Sequence, residues 1–236
     1  MPHPNLELLE VAADRLRPLL PEIVFVGGCA TGLLVTDPGS APVRVTYDVD
    51  VIAEIASYAD YTIFSERLRA LGFEEDTRED APVCRWRHGS LTLDVMPLDE
   101  RILGFSNRWY SEAMRTSVDV QVPSGLTLRA ITAPYFLGTK IEAFRGRGRR
   151  DYFASHDLED LTTVVDGRVS LLDEIAASSG ELREYVGEAI RALLAEPRFH
   201  DALPGYLLPD DANQARIPQL MNRLKALARL GSPRTE

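Results

Sequence analysis

Asp48 and Asp50, two residues apart in Arg44-Val45-Thr46-Tyr47-Asp48-Val49-Asp50, are the side chains of this sequence best suited to chemistry. On a strand, residues i and i+2 point to the same face, so the two acids project side by side. Their mutual repulsion is most easily offset by a divalent cation. Mg²⁺ prefers oxygen ligands and commonly links one or two carboxylates to phosphate oxygens. Upstream, Val26-Gly27-Gly28-Cys29-Ala30 carries a glycine pair suited to close backbone contact with a phosphate. A helix starting there presents free N–H groups that favour phosphate oxygens. Together the two segments read as a site for a metal-bound nucleoside triphosphate.

The elements that must position these residues follow from periodicity and breakers. Residues 5–20 carry apolar positions at helical spacing, with Pro18 disturbing the last turn. Residues 23–26 read as a buried strand, 28–35 as a helix facing the strand's end, 37–42 as a loop, and 48–53 as the second strand. A helix is expected over 61–71, ended by Gly72. Residues 83–87 and 91–96 form a hairpin around His88-Gly89-Ser90. In its second arm Leu91, Leu93 and Val95 share one face, which sends Asp94 to the other. An acid in such a strand needs a partner: either an arginine, or a place as third carboxylate beside Asp48 and Asp50.

A second hairpin is expected over 118–122 and 126–130, then a helix over 133–145 that carries Lys140. Arg145-Gly146-Arg147-Gly148-Arg149-Arg150 reads as a flexible basic loop, either a solvated turn or a grip on phosphates. Residues 155–166 read as a helix capped by Ser155, with Asp157 and Asp160 on one face. Residues 170–196 are helical in pattern, 197–218 form a Pro-rich connector, and 219–230 form the last helix.

This layout resembles the nucleotidyltransferase superfamily with its polymerase-β-type fold. The Arg-x-Thr-x-Asp-hydrophobic-Asp form is similar to the abortive-infection toxin branch, AbiEii and MenT-like. Lys140-Ile141-Glu142-Ala143-Phe144-Arg145 resembles that branch's Lys-x-x-Ala-x-x-Arg. His156-Asp157-Leu158-Glu159-Asp160-Leu161 resembles its Lys-Asp-x-x-Asp-Leu, with His156 in place of the usual Lys. The resemblance spans roughly residues 20–170. It implies an α/β (α+β) fold, a mixed sheet with flanking helices and a helical C-terminal region. It implies a catalytic core over 1–130 and a helical region over 131–236 that completes the nucleotide site. It further implies Mg²⁺, or Mn²⁺ in its place, on Asp48, Asp50 and Asp94. Gly27, Gly28, Arg44, Thr46, Lys140, Arg145 and Asp157 would hold the NTP. The implied reaction moves a nucleoside monophosphate to a hydroxyl acceptor, as in a toxin that modifies the 3′ end of tRNA and is paired with a cognate antitoxin.

Composition bounds the alternatives. The 236 residues are 45% hydrophobic, enough for one large domain or two small ones. A net charge of −10 excludes a generally basic nucleic-acid-binding surface. It suits a cationic small-molecule acceptor, such as an aminoglycoside, at least as well as RNA. A nucleotide-binding or antitoxin-like module without catalysis is the third class, and the retained like charges argue against it. Cys29 and Cys84 form neither a disulfide framework nor a metal cluster, and four scattered histidines suggest no zinc site. No signal peptide or membrane span is apparent, so a cytoplasmic location is the default expectation.

Overall fold

Ile23–Val26 is a run of four apolar residues and forms β1, buried along its whole length. The structure, a computed structural model, describes residues 3–147 and 151–231. It divides into two compact units, residues 1–33 with 44–132 and residues 34–43 with 133–236.

The first unit begins with α1 (Pro4–Arg15), followed by a 3₁₀ segment, Arg17–Glu22. The helix expected over 5–20 stops early, because Pro18 and Pro21 cannot donate the next α-helical hydrogen bonds. After β1 come α2 (Gly27–Leu34), β2 (Val49–Ala53) and α3 (Tyr58–Ala70). α3 starts three residues earlier than expected, because the Ser57 hydroxyl accepts the Asp60 N–H and caps it. β3 (Glu74–Glu75), β4 (Arg85–His88) and β5 (Leu91–Pro97) follow. Two short helices, α4 (Glu100–Leu103) and α5 (Tyr110–Arg115), precede β6 (Val118–Gln121) and β7 (Thr127–Ala130).

Among the described residues the strands form one mixed sheet in the order β3-β4-β5-β2-β1-β7-β6. β2 lies antiparallel to β1 and parallel to β5, and β7 is parallel to β1. The hairpins β4-β5 and β6-β7 complete it. One face packs on α1, α3 and their neighbours: Leu9, Ala12, Ala13 and Leu16 meet Phe25, Val49, Val51, Leu93 and Val95 in the core. These strand residues alternate with Asp50 and Asp94, so burying the apolar set turns both acids to the opposite face.

The second unit holds α6 (Ala133–Arg147), α7 (His156–Gly167), α8 (Leu171–Ala177) and α9 (Gly180–Leu194). The expected connector 197–218 is instead largely helical. It forms α10 (Pro197–Ala202), a 3₁₀ turn (Leu203–Tyr206) and α11 (Asp211–Gln214), before α12 (Ile217–Leu230). Pro197, Pro204 and Pro218 each occupy the first turn of an element, where a missing N–H costs nothing, so they start helices here. The helix α6 also runs through Arg145 and Gly146, so the start of the arginine run is helix and not loop. Gly148, Arg149 and Arg150 lie outside the described residues.

α9 and α12 cross closely. A Cβ at Gly187 would lie 2.3 Å from the Gly231 backbone nitrogen, so only glycine permits this approach. Arg216 ties segment 34–43 to the helices: it pairs with Asp37 and Asp166, both at 2.7 Å, and donates to the Gly39 carbonyl. Among the described residues no helix is long and apolar enough to cross a membrane.

Candidate functional site

Asp50 pairs with Val26 of β1 on one side and with Asp94 of β5 on the other, and Asp94 pairs in turn with Arg85 of β4. A cross-strand row Val26–Asp50–Asp94–Arg85 therefore runs across four neighbouring strands. Directly paired residues share a face, so Asp50, Asp94 and Arg85 all project away from the apolar core.

Gly27 follows Val26 and opens α2 with φ +67°, a conformation L side chains rarely adopt. A Cβ at Gly27 would lie 1.8 Å from Asp50 Oδ2. The glycine is thus required twice, for its backbone conformation and for the carboxylate seated against it. Gly28 is buried in the first turn of α2, and the Cys29 thiol donates to the Val26 carbonyl at 3.1 Å. Gly27→Ala is expected to displace the Asp50 carboxylate and to destabilise the protein by about 2 kcal/mol or more, from left-handed strain plus the clash. Urea unfolding of that variant is the check, and an unchanged midpoint would contradict this account.

Asp48 lies just before β2, in a segment that Asn5 clamps. The Asn5 side chain, buried in the first turn of α1, accepts the Thr46 N–H at 3.0 Å and donates to the Arg44 carbonyl at 2.8 Å. Thr46, also buried, donates its hydroxyl to Asp48 Oδ1 at 2.8 Å. Thr46 thereby aims the Asp48 carboxylate. The Arg44 guanidinium donates to the Val45 carbonyl at 3.3 Å.

Asp94 is buried and gripped by Arg85 through both oxygens, Nε to Oδ1 at 2.8 Å and Nη2 to Oδ2 at 2.7 Å. The same Nη2 donates to Asp48 Oδ2 at 3.1 Å. One guanidinium therefore joins the two acids, and their charge holds the Arg85 pKa above its usual value, the hydrogen bond to Asp94 contributing most. Cys84 beside them is buried, and its thiol is pushed up to about 12, first by burial and then by the charges of Asp94 and Asp50. It stays protonated and is no nucleophile.

The remaining predicted residues belong to the second unit. Lys140 is buried on α6, with Nζ 2.7 Å from Asp160 Oδ2 and 3.2 Å from Asp157 Oδ1 on α7. It also stands 5.7 Å from the Phe136 ring centroid. Asp160 is the closer partner and the more deeply buried of the two acids. The Arg145 guanidinium stacks over Tyr185, 4.8 Å from the ring centroid, and the Tyr185 hydroxyl donates to Glu142. Burial, with that hydrogen bond, pushes the Tyr185 pKa up to about 12.

Asn5 and Arg85 escaped the sequence reading. Arg85 was within reach of it. The two-residue turn Gly89-Ser90 pairs His88 with Leu91, and counting back along the hairpin sets Arg85 opposite Asp94. Nothing in the sequence signals Asn5, whose partners lie about forty positions away.

The oxygen-only donors Asp48, Asp50 and Asp94 suit a hard divalent cation, and Mg²⁺ needs only one or two carboxylates when phosphates supply the rest. Among the described residues no three His, Cys, Asp or Glu side chains close on one point as a metal cage.

Comparison with models of known protein families finds no match, and comparison with curated proteins finds none. Among solved structures, the chain is similar to an antigenic nucleotidyltransferase-like protein from Paracoccidioides brasiliensis. The TM-score is 0.49 and the identity 19%, covering 85% of this chain and 92% of that one. It is also similar to JHP933 from Helicobacter pylori, with a TM-score of 0.46 and 12% identity, covering 95% of this chain and 88% of that one. Both scores lie below 0.5, so the functional reading rests on this chain's own residues.

Proposed function

We propose that the protein is a Mg²⁺-dependent nucleotidyltransferase that moves a nucleoside monophosphate from an NTP to a hydroxyl acceptor. The observation that carries this reading is the Asp50 carboxylate seated against Gly27, at the start of α2 and in register with Asp94. Acidic oxygens and the N–H groups of a helix start then adjoin within one unit, which is what a metal-bound triphosphate requires. Asp48 and Asp50 would hold the cation, with Asp94 as the third carboxylate. A bound Mg²⁺ would neutralise triphosphate charge and stabilise the leaving pyrophosphate. The chain's own contribution is positioning: Gly27 leaves room for Asp50, Thr46 orients Asp48, and Asn5 fixes the backbone that carries both.

The nucleotide-binding roles implied for Arg44, Thr46, Lys140 and Arg145, with Asp157 holding one of the last two, belong to the same proposal. The finer reading, a toxin acting on the 3′ end of tRNA and held in check by a cognate antitoxin, rests on the resemblance alone. A net charge of −10 suits a cationic small molecule, the competing acceptor class, at least as well as RNA. Incubation with each α-labelled NTP, Mg²⁺ and either total RNA or aminoglycosides separates the two. Label in RNA supports the first acceptor and label in the antibiotic the second. Pyrophosphate release and label transfer absent with every NTP and both acceptor classes would contradict the proposed activity.

A further inference from the structure

Arg85 stands between two of the three carboxylates that the proposed function assigns to the metal, Asp48 and Asp94. It holds Asp94 through two hydrogen bonds and Asp48 through a third. The two acids already share one cationic group, because the same Arg85 nitrogen donates to both. The burial of the three is graded: the Asp94 side chain is 10% exposed, that of Arg85 22% and that of Asp48 36%. The guanidinium therefore has Asp94 beneath it and solvent on the Asp48 side, and a swing of the side chain toward solvent would uncover both acids.

We propose that Arg85 is an internal counter-ion that competes with a divalent cation for Asp48 and Asp94, so that cation binding requires its guanidinium to withdraw. The inference rests on the reading of these acids as metal ligands. In the metal-free protein Arg85 offsets the repulsion between the Asp48 and Asp94 carboxylates. The same contact lowers the apparent affinity for the cation, by the fraction of molecules in which the two acids are free of Arg85. A planar fork that matches a carboxylate bidentately does this better than a lysine ammonium, which acts as a point charge.

The test is Mn²⁺ binding, followed by electron paramagnetic resonance, on the full chain and its Arg85→Gln, Arg85→Lys and Asp50→Asn variants. Thermal unfolding with and without Mn²⁺ accompanies it. Arg85→Gln is expected to bind Mn²⁺ at least tenfold more tightly than the unaltered protein, and Arg85→Lys to fall between them. Without the ion, Arg85→Gln should melt lower than the unaltered protein, and saturating Mn²⁺ should raise its melting temperature by the larger amount. A merely structural arginine would lower the melting temperature without tightening the ion. Equal or weaker Mn²⁺ binding in Arg85→Lys and Arg85→Gln, with binding still lost in Asp50→Asn, would overturn the competition and leave the metal reading standing. Should Arg85→Gln not fold, Arg85→Lys decides by itself. No Mn²⁺ binding in any of the four proteins would overturn the metal reading and this inference with it.

Discussion

Asp50→Asn is expected to reduce nucleotidyl transfer by at least about a hundredfold while leaving the fold intact. Asparagine keeps the size and planarity of the side chain, so the place against Gly27 stays filled. What it loses is one negative charge beside Asp94, its register partner. Removing one of two neighbouring like charges relieves repulsion, so the change in stability should stay within about 1 kcal/mol. Losing a preorganised group that stabilises transition-state charge costs about 2.7–4 kcal/mol in a shielded site, or a factor of about 10²–10³. Transfer and unfolding measured on the same preparation check both halves. Activity within a few fold of the unaltered protein would remove Asp50 from the chemistry. A large loss of stability would make it a structural residue instead.

The parts of the fold that the sequence disclosed are those ruled by local pattern. β1 is four consecutive apolar residues, the hairpin β4-β5 turns on Gly89 with φ +59°, and α7 begins at the Ser155 cap. These signals lie within a few residues of the structure they produce. Misreadings arose where one residue type has two uses. Proline ended α1, as expected of it, but in 197–218 the same residue starts helices, and only its place in the first turn tells the uses apart. The candidate site divides the same way. The i,i+2 acids and the glycine pair are visible in the chain. The carboxylate filling the space over Gly27, the Asn5 clamp and the reach of Arg85 to Asp48 are contacts between segments far apart in sequence, which periodicity does not encode.

Lys140→Ala is expected to destabilise the second unit by about 3–5 kcal/mol, whatever it does to nucleotide binding. The lysine side chain is 10% exposed and that of Asp160 2%, so the ion pair is nearly dry and solvent offers the carboxylate little in exchange. Removing one partner of a buried pair costs about this much, because the remaining charge keeps its desolvation penalty and loses the ammonium 2.7 Å away. Asp157, at 15% exposure and 3.2 Å from Nζ, adds a second acid to the same ammonium. The mechanism has its own signature. Lys140→Met combined with Asp160→Asn removes both charges and should recover much of the stability lost in Lys140→Met alone, a non-additivity of at least about 1 kcal/mol. Urea unfolding of the single and double variants measures it. Additive losses would show that packing, and not the charge pair, is what Lys140 provides. The result also governs how the phosphate role of Lys140 is to be tested. A drop in NTP affinity in Lys140→Ala counts as a lost phosphate contact only at a temperature where the variant is still folded. Lys140→Arg, which keeps the charge against Asp160, then separates the two effects: a contact specific to the ammonium is lost in it, whereas the charge balance inside the unit is kept.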